Sequence, residues 1–432
     1  MRSCKQLLQA LEAGICDAGL AALYALDESN ASLGAARTRA ICTVRTLMDT
    51  FSPAETAPAA LFSGPGRTEI GGNHTDHQHG RVLCGSVDMD MLACAAPNGL
   101  NLIRIQSEGY PALEIGLDSL SVREEEKNTS AALVRGVAAK VKELGYTLTG
   151  FDAYVTSTVL SGSGLSSSAA YETLVGNIFN RFCCGGALDP VTIAKIGQYA
   201  ENVYFGKPCG LMDQMGSSVG GVVFIDFNDP ANPVVERVDY DFTKSGHALC
   251  IVDTASSHGD LTDDYADITR EMGAVAARFG KAVLRDVPLE DFRAAIPALR
   301  QECGDRAVLR AMHFFDDDRR AVKEAAALKN GDFDFFLALV NQSGLSSSLC
   351  LQNTWSISDP RQQAIPLCLT EAGRLLDGGA CRVHGGGFAG TIQAWVPNSD
   401  LEQFKAGMEA LLGEGKCHVL HIRPRGGCVV AE

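Results

Sequence analysis

The spacing of hydrophobic residues changes along the chain, and each change predicts an element of secondary structure. In the first 15 residues, apolar side chains recur at helical spacing with polar residues between them, which predicts an amphipathic helix. Its apolar face carries Leu7, Leu8, Leu11 and Ile15. We read residues 1–60 as helices broken near residues 28–33 and at the Ser52-Pro53 turn. No chemical motif lies in this segment, so we expect it to serve packing.

Apolar runs of strand length follow. Residues 82–94 and 100–106 are typical of buried strands, and a charged turn at residues 124–128 precedes a helical pattern over 130–145. A β-rich run over residues 151–160 gives way to glycines and then to a helical pattern over 169–182. A further helix is predicted over residues 190–205.

The last third of the chain again mixes both element types. Residues 253–278 and 306–330 read as long helices, and Gly331 ends the second before a shorter helical run over 332–340. Residues 381–397 predict a glycine turn that leads into a strand. Residues 416–424 predict the last strand.

Composition narrows the class of protein. A chain of 432 residues with 46% apolar and 21% charged residues is typical of a globular protein of about two or three domains. No apolar run reaches the ~18 residues that span a bilayer, and the N-terminal pattern is that of an amphipathic helix, not of a signal peptide. The 15 cysteines are odd in number and lack CxxC spacing, which favours reduced thiols and a cytoplasmic location.

The net charge of the chain limits the kinds of partner that it can bind. The net charge of −15 argues against a nucleic-acid footprint. An anionic ligand must therefore be held by a few well-placed positive groups.

Residues 161–170, SGSGLSSSAA, form the first candidate site. Gly162 and Gly164 let the backbone approach a ligand, while Ser166, Ser167 and Ser168 precede or open the predicted helix. Free N–H groups at the positive end of a helix favour phosphate. A plain serine-capped helix after a glycine turn is the alternative. The loop lacks the lysine of a P-loop and the third glycine of a dinucleotide fingerprint.

Residues 62–80 form the second candidate, a polar segment rich in glycine. Its polar side chains are Arg67, Glu69, Asn73, His74, Asp76, His77 and His79. A guanidinium offers a bidentate fork for phosphate or carboxylate, and Asp with His and Asn can hydrogen-bond sugar hydroxyls. A structural ion pair of Arg67 is one alternative, and zinc binding by the three histidines with Asp76 is another.

Two carboxylates between residues 199 and 221 have chemical uses. Glu201 with a serine hydroxyl of the glycine-serine loop could ligate Mg²⁺, which prefers oxygen ligands. Asp213 could accept a proton from a substrate hydroxyl or orient it. Each acid taken alone could equally be a helix cap or a surface charge.

Four stretches taken together resemble the galactokinase family, within the wider superfamily of galactokinase, homoserine, mevalonate and phosphomevalonate (GHMP) kinases. They are residues 67–80, residues 161–170, residues 207–214 (KPCGLMDQ) and residues 383–390 (VHGGGFAG), in family order. The resemblance implies a two-domain α+β GHMP kinase fold. An N-terminal domain like ribosomal protein S5 domain 2, with a left-handed crossover, would precede a ferredoxin-like C-terminal domain, with ATP and sugar in the cleft between them.

The resemblance also implies roles for single residues. Asp213 would be the catalytic base, and Arg67 would hold it ionised. The sugar would contact Asn73, His74, Asp76, Gly210 and Tyr265. The phosphates of ATP would contact Gly162, Ser163, Gly164, Leu165, Ser166, Ser167 and Ser168. Ser168 and Glu201 would bind Mg²⁺.

Two positions depart from the family pattern. Asn73 stands where the family usually has a glutamate that meets the far hydroxyl of the sugar, and Ser257 stands where relatives often carry a basic residue. An amide forms a weaker, neutral hydrogen bond, so we expect tolerance at the 6-position of the sugar. The alternative is that Asn73 only braces its loop and His77 or His79 reads that hydroxyl. Residues 343–348, SGLSSS, copy part of the phosphate loop, but we expect helix and loop there.

The implied function is an ATP- and Mg²⁺-dependent kinase that phosphorylates the anomeric hydroxyl of galactose. Other sugars (N-acetylgalactosamine, arabinose, a uronic acid) remain alternatives, as does a sensor that binds galactose and ATP without turnover. We expect a helical extension at residues 1–60, an N-terminal domain at 61–240 and a C-terminal domain at 241–432. The expected partners are sugar and ATP, with no nucleic acid or membrane, and the expected state is a cytoplasmic monomer.

Overall fold

The computed structural model describes residues 1–26, 31–54, 56–159, 164–207, 209–256 and 261–432. Within these ranges the strands are β1 (Ala60–Gly71), β2 (Arg81–Pro97), β3 (Leu102–Ser107), β4 (Leu113–Gly116), β5 (Phe151–Ser157), β6 (Val222–Asp226), β7 (Val234–Val238), β8 (His247–Asp253), β9 (Ala380–His384), β10 (Thr391–Pro397), β11 (Cys417–Leu420) and β12 (Cys428–Ala431). The helices are α1 (Cys4–Glu12), α2 (Asp17–Tyr24), α3 (Ala31–Phe51), α4 (Ser130–Glu143), α5 (Ser167–Phe182), α6 (Pro190–Tyr199), α7 (Met212–Val219), α8 (Thr262–Ala277), α9 (Leu289–Glu302), α10 (Asp305–Lys329), α11 (Phe333–Ser346), α12 (Ala364–Leu375) and α13 (Leu401–Leu412). Two helices continue as π-helical segments, α6 through Ala200–Phe205 and α11 through Ser347–Leu351.

The larger sheet is built around the long strand β2. Its described strands follow the order β12-β1-β2-β5-β3-β4, and β6 and β7 extend the sheet from β2. The last seven residues of β2 pair with β5, and its first five pair with β6. Strands β3 and β5 are parallel, because the chain crosses over between them through β4 and α4.

The smaller sheet has the order β11-β8-β10-β9, with antiparallel neighbours. In chain order, β8 to β11 are the four strands of a β-α-β-β-α-β unit, so the spatial order 4-1-3-2 is that of a ferredoxin-like domain. Helices α12 and α13 cover one face through apolar contacts that include Cys368, Ile392 and Phe404. The mixed α+β architecture is the one predicted.

Both faces of the larger sheet are covered by helices. Neighbouring residues of β1 face opposite sides, because side chains alternate along a strand. Phe62 belongs to an apolar cluster with Leu174 of α5. Leu61 belongs to a second cluster with Leu7 of α1 and Val44 of α3. Helices α1, α2 and α3 therefore form a helical layer on the sheet.

Among the described residues, no single helix is long and apolar enough to cross a membrane. Helices α1 and α2 meet the criteria of length and composition only as a pair, bent by 78°.

The apolar face predicted for the first helix is only partly correct. Leu7 and Leu11 are buried, but Ile15 is 66% exposed. Helix α1 ends at Glu12, and Gly14 has a φ of +73° that a continuing helix does not allow. Ile15 therefore lies beyond the helix.

The helix predicted over residues 253–278 begins too early. Asp253 is the last residue of β8, and α8 begins at Thr262. Strand β8 lies between β10 and β11, and residues 249–252 are all buried. A strand buried on both faces shows no alternation, so its end cannot be told from a helix start by periodicity.

Two further expectations near the C-terminus need correction. Residues 343–348 contain no loop, because α11 runs to Ser346 and continues as the π-helical segment to Leu351. The strand predicted over residues 416–424 is β11, but the last strand is β12, which pairs with β1 of the larger sheet. The chain thus returns to its first sheet at the end. The division at residues 60 and 240 stays a prediction.

Candidate active site

Three segments that are distant in sequence meet at the Arg67 side chain. Arg67 lies in β1, and its Nε donates a hydrogen bond to Asp213 Oδ1 at 2.7 Å. Its Nη1 donates to the carbonyl of Gly164, and its backbone N–H donates to the carbonyl of Leu165 at 3.0 Å. The Arg67 guanidinium therefore joins β1, the loop that contains Gly164, and the first turn of α7.

Asp213 is held on both oxygens and still reaches the solvent. The Ser166 hydroxyl donates to Asp213 Oδ2 at 2.8 Å. The Asp213 side chain is 30% exposed, whereas that of Arg67 is 7% exposed, so a ligand can touch the carboxylate. Burial opposes its charged form, but the Arg67 charge and the Ser166 hydrogen bond outweigh burial, and the pKa of Asp213 lies below its ordinary value. The carboxylate is ionised at neutral pH.

The start of α5 has the properties of an anion site. Helix α5 begins at Ser167, and the Ser166 side chain does not cap it because its hydroxyl bonds Asp213. Within the described residues, the N–H groups of the first turn therefore have no cap from the Ser166 side chain, and they lie at the positive end of the helix. Gly164 has a φ of +71°, and a Cβ there would lie 2.7 Å from Thr391 Oγ1. The predicted phosphate residues Gly162 and Ser163 lie outside the described residues.

The two predicted metal ligands are adjacent. The Ser168 hydroxyl donates to Glu201 Oε1 at 3.1 Å, and Gln214 Nε2 donates to Glu201 Oε2 at 2.8 Å and to Glu172 Oε2 at 3.0 Å. Burial, followed by the Glu201 charge, raises the pKa of Glu172 well above its ordinary value. A hydroxyl beside a carboxylate oxygen at the helix start fits Mg²⁺, which takes few protein ligands and completes its shell with phosphates and water.

The alternative zinc site is not formed. In the part of the chain that the structure describes, no group of three or more His, Cys, Asp or Glu side chains is arranged to hold a metal ion. His77 is exposed, and its ring lies near that of His74 with centroids 5.8 Å apart.

Three side chains predicted to bind sugar reach three consecutive carbonyls of the Gly385–Gly387 turn. Asn73 Nδ2 donates to Gly385 O at 2.8 Å, His74 Nε2 to Gly386 O at 2.9 Å, and the Tyr265 hydroxyl to Gly387 O at 2.9 Å. Burial lowers the pKa of His74 to about 4, so the ring is neutral and carries its hydrogen on Nε2. A Cβ at Gly386 would lie 2.6 Å from the Tyr265 ring, which explains the glycine.

Asp76 and Gly210 lie against each other on the same side of the site. A Cβ at Gly210 would come within 2.2 Å of Asp76 Oδ2, so the absence of a side chain admits the carboxylate. Asp76 Oδ1 also accepts from the His77 N–H at 3.0 Å. His74 and Tyr265 stack with ring centroids 6.4 Å apart. The predicted sugar residues other than Asn73 thus form two contacting pairs, Asp76 with Gly210 and His74 with Tyr265.

Asn73 is fully buried and uses every donor and acceptor of its amide. Nδ2 also donates to Glu69 Oε1 at 2.9 Å. Oδ1 accepts from Asn353 Nδ2 at 2.8 Å and from the Ser347 hydroxyl at 3.2 Å. Its backbone is bound by Asp317 and His313. In this arrangement the amide has no group left for a sugar, which favours the alternative that Asn73 braces the loop.

Sequence reasoning assigned no role to several residues that shape the site. Glu69 forms a buried ion pair with Arg382 at 2.5 Å, and Asn353, Ser347 and Gln214 complete contacts that hold site residues. Gln214 follows Asp213 directly in the sequence, and this position next to a candidate catalytic residue could have identified it. Arg382 and Asn353 lie about 300 residues from their partners, and no local pattern marks them. Ser257, the second departure, lies outside the described residues.

Two protein-family models match segments of this chain. The family model of the GHMP kinases N terminal domain matches residues 132–221, which include α5 and Asp213. The galactokinase galactose-binding signature matches residues 49–97, which include Arg67 and the segment that follows it.

Whole-chain relatives extend the match. The galactokinase of Streptomyces coelicolor is 30% identical over 355 residues, which cover 82% of this chain and 88% of that protein. The structure of Lactococcus lactis galactokinase complexed with galactose is 22% identical, with a TM-score of 0.77 over 90% of this chain and 99% of that one. Methanococcus jannaschii mevalonate kinase is 14% identical, with a TM-score of 0.60 over 84% and 98%.

The structural likenesses confirm the predicted GHMP kinase fold, and the sequence relationship covers 82% of the chain. The chain belongs to the galactokinase family of sugar kinases.

Proposed function

We propose that this enzyme transfers the γ-phosphate of ATP to the anomeric hydroxyl of galactose and releases galactose 1-phosphate. The observation that carries the proposal is the Arg67–Asp213–Ser166 arrangement. It joins the segment with the galactose-binding signature to the uncapped start of α5. A sugar hydroxyl at Asp213 is then close to a phosphate at α5.

Asp213 is the catalytic residue of this proposal. Its ionised carboxylate accepts the proton of the attacking hydroxyl while that hydroxyl bonds to phosphorus. Arg67 keeps the carboxylate charged and oriented, since two guanidinium nitrogens contact Asp213 Oδ1 at 2.7 Å. Phosphoryl transfer depends mainly on positioning and on charge neutralisation, and both are supplied by groups that are already in place.

We assign Mg²⁺ to the oxygen pair of Ser168 and Glu201. When bound there, the ion would neutralise charge on the ATP phosphates. The phosphates would contact the backbone N–H groups of residues 164–168, with Gly162 and Ser163 assigned to them by the family pattern. The site uses small molecules, sugar and ATP, and we propose that it acts in the cytoplasm.

Galactose is the proposed sugar because the chain carries the galactose-binding signature and because its relative from Streptomyces coelicolor is a galactokinase. His74, Asp76, Gly210 and Tyr265 are its proposed contacts. Asn73 is assigned a bracing role, because its amide is used within the protein. With no side chain of residue 73 at the far hydroxyl, discrimination at the 6-position is expected to be weak.

The test is an ADP-release assay on a panel of sugars: galactose, 6-deoxygalactose, galacturonate, N-acetylgalactosamine and arabinose. We expect the highest kcat/KM with galactose and a value within about tenfold of it with 6-deoxygalactose, the scale of one lost neutral hydrogen bond. A higher value with another sugar would replace galactose as the substrate. Binding of galactose and ATP without ADP release from any sugar would identify a sensor and overturn the proposal.

A further inference from the structure

A buried amide lies between two carboxylates behind the proposed metal site. Gln214 Nε2 is 2.8 Å from Glu201 Oε2 and 3.0 Å from Glu172 Oε2. All three residues are at most 2% exposed. Glu172 and Gln214 have no role in the function proposed above, so their burial beside Glu201 needs a reason.

The hydrogen-bonding pattern fixes the orientation of this amide. A side-chain amide has two N–H donors on one side and a carbonyl acceptor on the other. The nitrogen of Gln214 faces Glu201 Oε2, so turning the amide over would place its carbonyl oxygen against that carboxylate oxygen. Among the described residues, Gln214 Oε1 and Glu172 Oε1 are buried without a hydrogen-bond partner. The arrangement is retained although two polar atoms are left unsatisfied.

The backbone explains how these side chains meet. Ser168 and Glu172 are four residues apart on α5, so they share one helix face. Glu201 comes from the π-helical segment after α6, a type of distortion that is common at functional sites. Gly197, one turn before Glu201, leaves room for Glu172, because a Cβ there would lie 2.9 Å from Glu172 Oε2.

The two oxygens of Glu201 therefore have different environments. Oε2 is held from behind by Gln214 at 2.8 Å, and Oε1 faces the Ser168 hydroxyl at 3.1 Å. Groups that hydrogen-bond a metal-binding carboxylate orient it and tune its affinity, and their loss typically costs about 10–100-fold in metal affinity or activity. Gln214 hydrogen-bonds Glu201 in this way.

We propose that Gln214 is a positioning residue that presents Glu201 Oε1 to Mg²⁺, and that Glu172 is the second anchor that fixes the Gln214 amide. The inference rests on the proposed assignment of Mg²⁺ to Ser168 and Glu201. It adds residues that act on the metal through Glu201 and touch neither ATP nor sugar.

The experiment compares Gln214→Met, Glu172→Met and Glu201→Ala with the wild type. Methionine keeps the length of the side chain and removes the donor or acceptor. Gln198→Met is the matched control, because Gln198 Nε2 bonds the carbonyl of Cys209 at 3.3 Å and no hydrogen bond joins it to Glu201 or Glu172 within the described chain. Each protein is assayed for the Mg²⁺ concentration that gives half-maximal rate at saturating ATP and galactose.

A second readout does not depend on turnover. Calorimetry gives the affinity for a non-hydrolysable ATP analogue with and without Mg²⁺, and the ratio of the two values reports the metal site alone. We expect Gln214→Met to raise the half-saturating Mg²⁺ concentration about tenfold and to lower the affinity ratio by a similar factor. Glu172→Met should have a smaller effect in the same direction. The separate variant Glu172→Gln keeps a carbonyl acceptor, so its half-saturating Mg²⁺ concentration and its affinity ratio should be close to those of the wild type.

The outcomes distinguish the proposed metal site from the proposed positioning role of Gln214. If Glu201→Ala leaves both readouts unchanged, the proposed metal site is wrong. If Glu201→Ala changes them and Gln214→Met matches Gln198→Met, the metal site stands and Gln214 is not a positioning residue. A lower Tm with unchanged Mg²⁺ readouts would likewise assign Gln214 and Glu172 to structure alone.

Discussion

One side chain, Arg67, contacts the groups that we propose to carry out the reaction. Arg67 is almost fully buried and contacts Asp213, Gly164 and Leu165, so it fixes the carboxylate proposed as the base and the loop proposed to bind phosphate. Burying a guanidinium is costly unless its charge is paired and its donors are used. Here Asp213 supplies the opposite charge and accepts from Nε, and the Gly164 carbonyl accepts from Nη1. The same contacts that stabilise Arg67 therefore build the site.

Arg67→Lys tests this dual role. A lysine keeps the charge but lacks the planar fork, so it can contact Asp213 or Gly164 but not both in the same geometry. We expect kcat to fall by about 10²-fold or more, on the scale of a lost positioning interaction, with a smaller loss of thermal stability. Steady-state kinetics and Tm give both quantities. Unchanged kcat and KM would reduce Arg67 to a structural ion pair.

Asn73→Glu tests the bracing role. The new carboxylate would lie in a buried position beside Glu69 and would lose the donor to Gly385. We expect a loss of about 3 kcal/mol in the free energy of unfolding, measured by urea denaturation, and not the sharper preference for galactose that a sugar-binding glutamate would give.

A partner substitution provides the control for this prediction. In the double variant Glu69→Gln with Asn73→Glu, the pair again consists of one amide and one carboxylate, so part of the lost stability should return. A stable Asn73→Glu single variant with a higher kcat/KM for galactose over 6-deoxygalactose would place residue 73 at the sugar.

Close approach between β1 and α5 sets the position of the phosphate site. Strand β1 carries Gly64 where α5 passes over it, and a Cβ at Gly64 would lie 2.3 Å from the carbonyl oxygen of Ala170 and 3.0 Å from the backbone nitrogen of Leu174. Both are backbone atoms, which cannot rotate away. The start of α5 is thereby held against the strand that carries Arg67.

Gly64→Ala should therefore damage both fold and function. We expect a loss of about 3 kcal/mol, since overpacking against backbone forces the helix to move, and a higher KM for ATP because the first turn of α5 moves with it. Urea denaturation and ATP titration measure these effects.

Gly34→Ala is the matched control. Gly34 lies in α3, and in the described part of the chain nothing outside the backbone of its own helix lies within 4 Å of the position that a Cβ would take. Alanine should therefore stabilise the helix by about 0.5–1 kcal/mol. Equal effects of the two substitutions would contradict the close packing of β1 on α5.

Local signals in the sequence marked several of the candidate site residues. The glycine-serine loop, Arg67 and Asp213 each lie in short motifs whose residue types reflect local needs, such as a helix start or a turn. Strand β8 was not separated from the helix after it, because residues 249–252 are buried on both sides. The contacts of Asn73 were also beyond sequence reasoning, since Asn353 and Gly385 reach it from 280 and 312 residues away. Side-chain identity at residue 73 suggested a ligand contact, whereas its hydrogen bonds within the protein favour the bracing role.

The two sheets are joined by a buried polar network beneath the sugar-side loop. Arg382 of the smaller sheet donates to Ile70 O at 2.7 Å and pairs with Glu69 of the larger one. Asp317 on α10 accepts from the Asn73 N–H at 2.8 Å. The loop after β1 is thus fixed both from the smaller sheet and from α10.

Glu324 makes this network sensitive to pH. Its carboxyl is fully buried beside Gly71, and burial, followed by the Asp317 charge, raises its pKa to about 8. The unfolded chain has its ordinary value of 4.5. The stability that the protonated group contributes is complete below pH 4.5 and is lost progressively as the pH rises to about 8.

Glu324→Gln should remove this dependence. Relative to the wild type, the variant should gain stability between about pH 5 and pH 8, by at most about 1.4 kcal/mol per pH unit, and the difference should be constant above about pH 8. Urea denaturation at about pH 5, 6.5 and 8 gives the comparison. A stability difference that does not vary with pH would show that Glu324 titrates normally.

Phosphoryl transfer and the role of Asp213 can be followed in one experiment. Wild type and Asp213→Asn are each incubated with ATP, Mg²⁺ and galactose labelled with ¹³C at C1, and NMR identifies the phosphorylated carbon while ADP release gives kcat. The amide fills the same volume but cannot accept the proton. We predict phosphate on C1 with the wild type, and in the variant unchanged galactose binding with kcat lower by about 10²–10⁴-fold. Phosphate on another carbon, or a variant that keeps more than roughly a tenth of the wild-type kcat, would contradict the proposed transfer to the anomeric hydroxyl with Asp213 as the base.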